Sequence, residues 1–170
     1  CVAAVRMVFG NLQRAYDDGN DMAAREAMAL ASFYAGLAFT KAYVGYVHAF
    51  SHKLGGMYGV PHGLANAITL PYVLDFIKDA PLARERLAQL AVVIGAGTAG
   101  EPHDILAQRF IERVRELNRG VGIPDKVAAL KPADVPTVAR AAMVEAARDY
   151  PVPKNMSLGE AETLLQRMQA

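Results

Sequence analysis

The sequence predicts an all-α protein, a bundle-like packing of many helices, and three observations carry that reading. Of the 170 residues, 53% are hydrophobic and 21% charged, which is the composition of a packed globule and not of a disordered chain. Apolar residues recur at helical spacing in nearly every segment, and no stretch alternates as a strand would. Glycine and proline clusters cut the rhythm into pieces of helix length, with no repeat, low-complexity tract or linker between them. A chain of this size suffices for one domain with a real core, so residues 1–170 are read as a single helical domain.

The first helix is expected over Val2 to Tyr16, stopped by Asp17-Asp18-Gly19-Asn20. A second runs from Asp21 to Phe39, so dense in Ala, Met and Leu that its stripe reads as core, pressed close against neighbours. A third carries His48 and His52 and is expected to end near Gly55-Gly56. The fourth begins after Pro61 and extends to Asp79, with a kink or break expected at Pro71. Pro81 suits the start of a fifth, Leu82 to Ile94. In the sixth, His103 to Leu117, the apolar face is read as Ile105, Phe110, Ile111, Val114 and Leu117. GVGIPDKVAAL reads as a turn and a short helix, and Ala133 to Arg148 as a further helix. The prolines of Tyr150-Pro151-Val152-Pro153-Lys154 force extended or turn geometry. Ser157 and Glu160 form a capping-box pattern that opens the last helix, Leu158 to Met168.

Composition narrows the function. The formal net charge is +1, with no basic stripe, which argues against a nucleic-acid partner. Charges or prolines break the apolar runs before they reach the length of a membrane span. The single cysteine, Cys1, excludes an internal disulfide and points to a reducing, cytoplasmic setting. The first residue is not methionine and no signal peptide opens the chain, so the sequence is expected to be a piece of a longer protein.

The stretch GYVHAFSHKLGGMYGVPHGLAN, residues 45–66, holds three of the four histidines. His48 and His52 are four apart, so on a helix they share one face. His62 follows a glycine-rich turn, and a chain that doubles back there brings it beside His48. Neutral imidazole is a common ligand for Fe, Zn, Ni and Cu, which makes a metal or acid–base site one reading. Partly buried histidines bonded to backbone at a helix junction are the other. Ala49, Phe50 and Ser51 separate the first two histidines, so the helix is not the zinc-protease HExxH type. Asp75 and Asp79 lie too far along the fourth helix to complete the same site.

The run AGLAF…GYVHAFSHKLGGMYGVPHGLANAITLPYVLDF resembles the C-terminal helical domain of iron-containing, group III alcohol dehydrogenases. LNRGVGIP and the Lys-Asn-Met-Ser turn before the last helix are similar to later parts of that family. The resemblance implies that His48 and His62 bind a catalytic Fe(2+) or Zn(2+). It implies that His52 lies beside the nicotinamide and the substrate, relaying or positioning a proton, and that Phe39 lines the alcohol pocket. It implies oxidation of a primary or secondary alcohol to its carbonyl with NAD or NADP, the metal acting as a Lewis acid on the reacting oxygen. It further implies two more ligands, an aspartate and a histidine, and a dinucleotide-binding α/β domain, all upstream. This chain would then be the C-terminal domain of a two-domain dehydrogenase, inactive alone and prone to form homo-oligomers. A free-standing helical interaction module is the alternative, and a small metalloprotein sharing an ion between two chains a third reading.

Two departures from the family pattern stand out: Pro71-Tyr72 where many relatives have Pro-His, and Tyr150–Lys154 in place of an Asn-Pro-Arg turn. Other residues read blandly. His103 is expected to be solvent-exposed at a helix start and outside the site, and Lys53 to be solvated. Met57 and Tyr58 either face a ligand or pack the turn.

Overall fold

A computed structural model describes residues 1–170, the side chain of Asp149 excepted. It is all-helical, with eight α-helices and, among the described residues, no strand longer than an isolated bridge between Val127 and Gln169. The helices are α1 (Val2–Asp17), α2 (Met22–Ala42), α3 (Tyr46–Tyr58), α4 (His62–Ile77), α5 (Pro81–Val93), α6 (His103–Gly120), α7 (Val135–Asp149) and α8 (Leu158–Met168). No single helix is long and apolar enough to cross a membrane.

The helices form two compact units, one of residues 1–43 and 81–121, the other of residues 44–80 and 122–170. In the first unit α1 pairs with α2 and α5 with α6, and the rings of Phe9 and Phe110, 5.7 Å apart, join α1 to α6. The buried face of α6 is Leu106, Ala107, Phe110, Ile111 and Val114. Ile105, expected on that face, is exposed, because the face turns through Leu106 instead.

The second helix overturns the expectation of a core stripe. Only Ala24 and Ala31, seven residues apart and so on one face, are buried. Phe33, Leu37 and Phe39 are each more than half exposed. Small residues allow close approach on one narrow line, and the large apolar side chains lie off it.

The second unit holds the larger core. α3 supplies Tyr46, Ala49, Phe50 and Leu54, and α4 supplies Ala65, Ile68 and Val73. Val138, Ala139 and Ala142 of α7 and Leu164, Leu165 and Met168 of α8 close over them. Burial of each large side chain contributes about 1.5–3 kcal/mol. The capping box at Ser157 and Glu160 is present, and α8 has the bounds read from sequence.

Three boundaries differ from the sequence reading. α3 runs through Gly55-Gly56 and ends at Gly59, which takes φ 68°, ψ 18° and donates its N–H to the carbonyl of Gly55. The left-handed residue, and not the glycine pair, is what a helix needs to stop. α4 carries Pro71 without interruption, the ring being buried within the helix-packed core. The segment after Ile123 forms no helix but turns and the Val127 bridge, and a short 3-10 turn, Pro132–Asp134, leads into α7.

Because the left-handed region costs a residue with Cβ about 1–2 kcal/mol, Gly59→Ala should lower stability by that amount. Gly56→Ala, inside α3 with open space around its Cα, should raise stability by about 0.5–1 kcal/mol. Urea unfolding of the two variants checks both signs.

Candidate metal and proton-transfer site

The turn after α3 decides the geometry. Gly59 reverses the chain and Pro61, with φ −54° and ψ 135°, sets His62 as the first residue of α4. α3 and α4 pack against each other, and both feed one core, Phe50 and Leu54 from α3 and Ala65 and Ile68 from α4. The three imidazoles come together as a triangle. Ring centroids are 5.2 Å apart for His48–His62, 5.4 Å for His52–His62 and 5.8 Å for His48–His52. His52 and His62 stack at an interplanar angle of 19°.

Asn66 lies one turn beyond His62 on α4, on the same face. Its amide nitrogen is 2.9 Å from His62 Nε2 and 3.5 Å from His48 Nε2, the latter at the far edge of hydrogen bonding. Both Nε2 atoms thus point toward one place, the Asn66 amide nitrogen. The Asn66 carbonyl oxygen is buried and has no partner, so the amide satisfies only one side of its surroundings. Burial, aided by the neighbouring His62 and His52 and opposed by Glu145, holds the His48 pKa below the ordinary imidazole value. His48 is therefore uncharged at neutral pH, the state in which imidazole is a ligand.

His52 is held from the other side. Its Nδ1 is 2.7 Å from Oε1 of Glu145, on α7, 93 residues along the chain. The Tyr150 hydroxyl donates to the same oxygen at 2.6 Å, and the Lys53 ammonium pairs with Oε2 at 2.5 Å. Burial alone would raise the Glu145 pKa. The hydrogen bonds from Lys53, Tyr150 and His52 and the lysine charge outweigh it and bring the carboxyl down to about 2. Lys53 is thus ion-paired and not solvated.

The remaining sequence expectations sort plainly. Tyr58 packs the turn and donates to Asp134 at 2.8 Å, while Met57 is exposed. Asp75 pairs with Lys78 and Arg167, and Asp79 with Lys154, away from the imidazoles. His103 is exposed at the start of α6, in the first unit. Phe39 belongs to that unit too, about half exposed on α2. Sequence reasoning missed Asn66 and Glu145. The helical spacing from His62 could have revealed the first; no local pattern announces the second.

As a donor set, two converging imidazole nitrogens suit a borderline divalent ion such as Fe(2+) or Zn(2+). Two are fewer than a metal site usually takes from a protein, and among the described residues no group of three or more His, Cys, Asp or Glu side chains is placed to hold a metal. Residues 1–169 match the Fe-containing alcohol dehydrogenase family, C-terminal part. The chain belongs to that family. It is 40% identical over 144 residues to 1,3-propanediol dehydrogenase of Citrobacter freundii, which covers 84% of this chain and 37% of that protein. To lactaldehyde reductase of Escherichia coli it is 34% identical, with 84% and 37% covered. The fold superposes on a crystal structure of 1,3-propanediol oxidoreductase with TM-score 0.92 and 33% identity, over 98% of this chain and 44% of the other. An alcohol dehydrogenase from Oenococcus oeni gives 0.91 and 32%, over 99% and 44%. The chain thus spans less than half the length of these family members, and it matches their helical domain.

The Glu145 cluster carries a pH signature. Its folded pKa is depressed, so its contribution is fully present above the unfolded value of 4.5 and is lost as pH falls through about 2. Glu145→Gln should cost about 1–3 kcal/mol at pH 7, the range for a charged hydrogen-bonded group. The gap to the parent sequence should close between pH 4.5 and pH 2. Urea midpoints measured across that range check the closure.

Proposed function

We propose that this chain is the metal-holding helical half of an NAD(P)-dependent alcohol dehydrogenase acting on a primary or secondary alcohol or its carbonyl. The observation that carries the reading is the convergence of His48 and His62 Nε2 on one point, within a chain of the Fe-containing alcohol dehydrogenase family. His48 and His62 would supply two ligands, and a preceding domain the other two. When bound, Fe(2+) or Zn(2+) supplies Lewis acidity that eases removal of the alcohol proton. Names among the relatives agree with small alcohols and aldehydes as substrates: propanediol, lactaldehyde, and, in a structure holding NAD+, sulfoacetaldehyde.

This chain's residues divide the work. His48, neutral through burial, and His62, at the first turn of α4, would offer their Nε2 atoms to the ion. The Asn66 amide nitrogen occupies the point on which the two Nε2 atoms converge and would turn away for an ion to bind there. His52 stands beside them with Nδ1 tied to Glu145, and it would face nicotinamide and substrate and take or return a proton at Nε2. The family resemblance assigns Phe39, about half exposed on α2, to substrate binding. The exposed apolar face of α2, with Phe33 and Leu37, suits a protein surface and not bulk water, which supports a covering domain or a second copy.

In the full-length parent protein, His48→Ala and His62→Ala should each remove bound metal, measured by elemental analysis. His52→Ala should retain the metal and lower kcat; loss of metal from that variant would overturn the division of roles. The 170-residue chain alone should show no alcohol-dependent NAD(P) reduction with Fe(2+) or Zn(2+) added. Turnover by the chain alone would refute the half-site reading. Sedimentation should reveal concentration-dependent association that Phe33→Asp weakens.

A further inference from the structure

We propose that Glu145 is the positioning residue of His52, setting which of its nitrogens carries the proton. Four observations support this. Glu145 Oε1 lies 2.7 Å from His52 Nδ1, a distance for a charge-assisted hydrogen bond. The other oxygen of the carboxylate is engaged by Lys53, a residue with only donors, so the carboxylate cannot swing away from the imidazole. The Tyr150 hydroxyl donates to Oε1 at 2.6 Å, adding a second tether on the side that faces His52. The carboxyl stays ionised throughout the neutral range and can only accept.

The consequence is a fixed tautomer. With Nδ1–H donating to Glu145, Nε2 is the nitrogen of His52 left to carry a lone pair. That nitrogen can take a proton from an alcohol, directly or through water, while Nδ1 keeps its own, and the resulting imidazolium sits against the Glu145 carboxylate. In the reverse direction the same Nε2–H returns the proton to the oxygen of the reduced carbonyl. Without the carboxylate, the half-exposed His52 ring is free to turn and to exchange tautomers. The segment after α7 enters here as well. Tyr150, in the extended stretch that departs from the family's turn, reaches the site through Glu145. The inference rests on the reading that His52 faces the reaction.

Glu145→Gln tests it with little change in shape. Lys53 can only donate, so it claims the oxygen of the new amide and turns the NH2 group toward His52 Nδ1. The imidazole proton must then move to Nε2. Two-bond 1H–15N correlation spectra of the histidine-labelled, metal-free chain at pH 8 read this directly. The expected result is Nδ1–H in the parent sequence and predominantly Nε2–H in Glu145→Gln. Adding Lys53→Met to Glu145→Gln frees the amide oxygen and should return the proton to Nδ1, a reversal that general loss of packing would not give. In the metal-loaded full-length protein, Glu145→Gln should lower kcat roughly 10–100-fold, with metal content and KM for the alcohol little changed. An unchanged His52 tautomer in Glu145→Gln overturns the proposal, as does an unchanged kcat where His52→Ala is slow. If His52→Ala itself leaves kcat intact while the tautomer still switches, positioning by Glu145 stands and the assignment of His52 to the reaction falls.

Discussion

The site depends on one reversal of the chain, the left-handed Gly59 followed by Pro61. Together they end α3 and start α4 with so little connecting chain that residues one helix apart become neighbours. Burial of Phe50 and Leu54 on α3 and of Ala65 and Ile68 on α4 in one core then fixes the register of the two helices. Register matters because imidazole reach is short. A slip of one residue would rotate His48 off the shared face, and the two Nε2 atoms would no longer meet.

Packing and chemistry are coupled in this arrangement. The burial that stabilises the α3–α4 pair also desolvates His48 and keeps it a lone-pair donor at neutral pH. On the opposite side, α7 contributes core residues Val138, Ala139 and Ala142 on one face and Glu145 one turn further on, at the edge of the core. The same helix thus closes the unit and reaches His52. Lys53 next to His52, and Tyr150 beyond the end of α7, complete a cluster in which an ionised carboxylate is surrounded by donors.

The chain spans under half the length of the relatives it matches. Two imidazoles are fewer ligands than a divalent ion usually takes from a protein. On α2 the large apolar side chains of Phe33, Leu37 and Phe39 stay more than half exposed.

The sequence by itself determined the helical class, the limits of α8 through its Ser157–Glu160 box, and the shared face of His48 and His52. Those are local matters of spacing and capping, set within a few residues of one another. Its motif also carried the family, since three histidines at fixed spacing around a glycine-rich turn are rare by chance. Only the tertiary structure decided where the α3 helix stops, because a glycine pair and a left-handed glycine read alike in sequence. It also decided that α2 buries alanines and exposes Phe33 and Leu37, since composition says nothing of which neighbour a face meets. The partnership of His52 with Glu145 spans 93 residues, and no local rule reaches that far. Long-range packing of α7 against α3 created it.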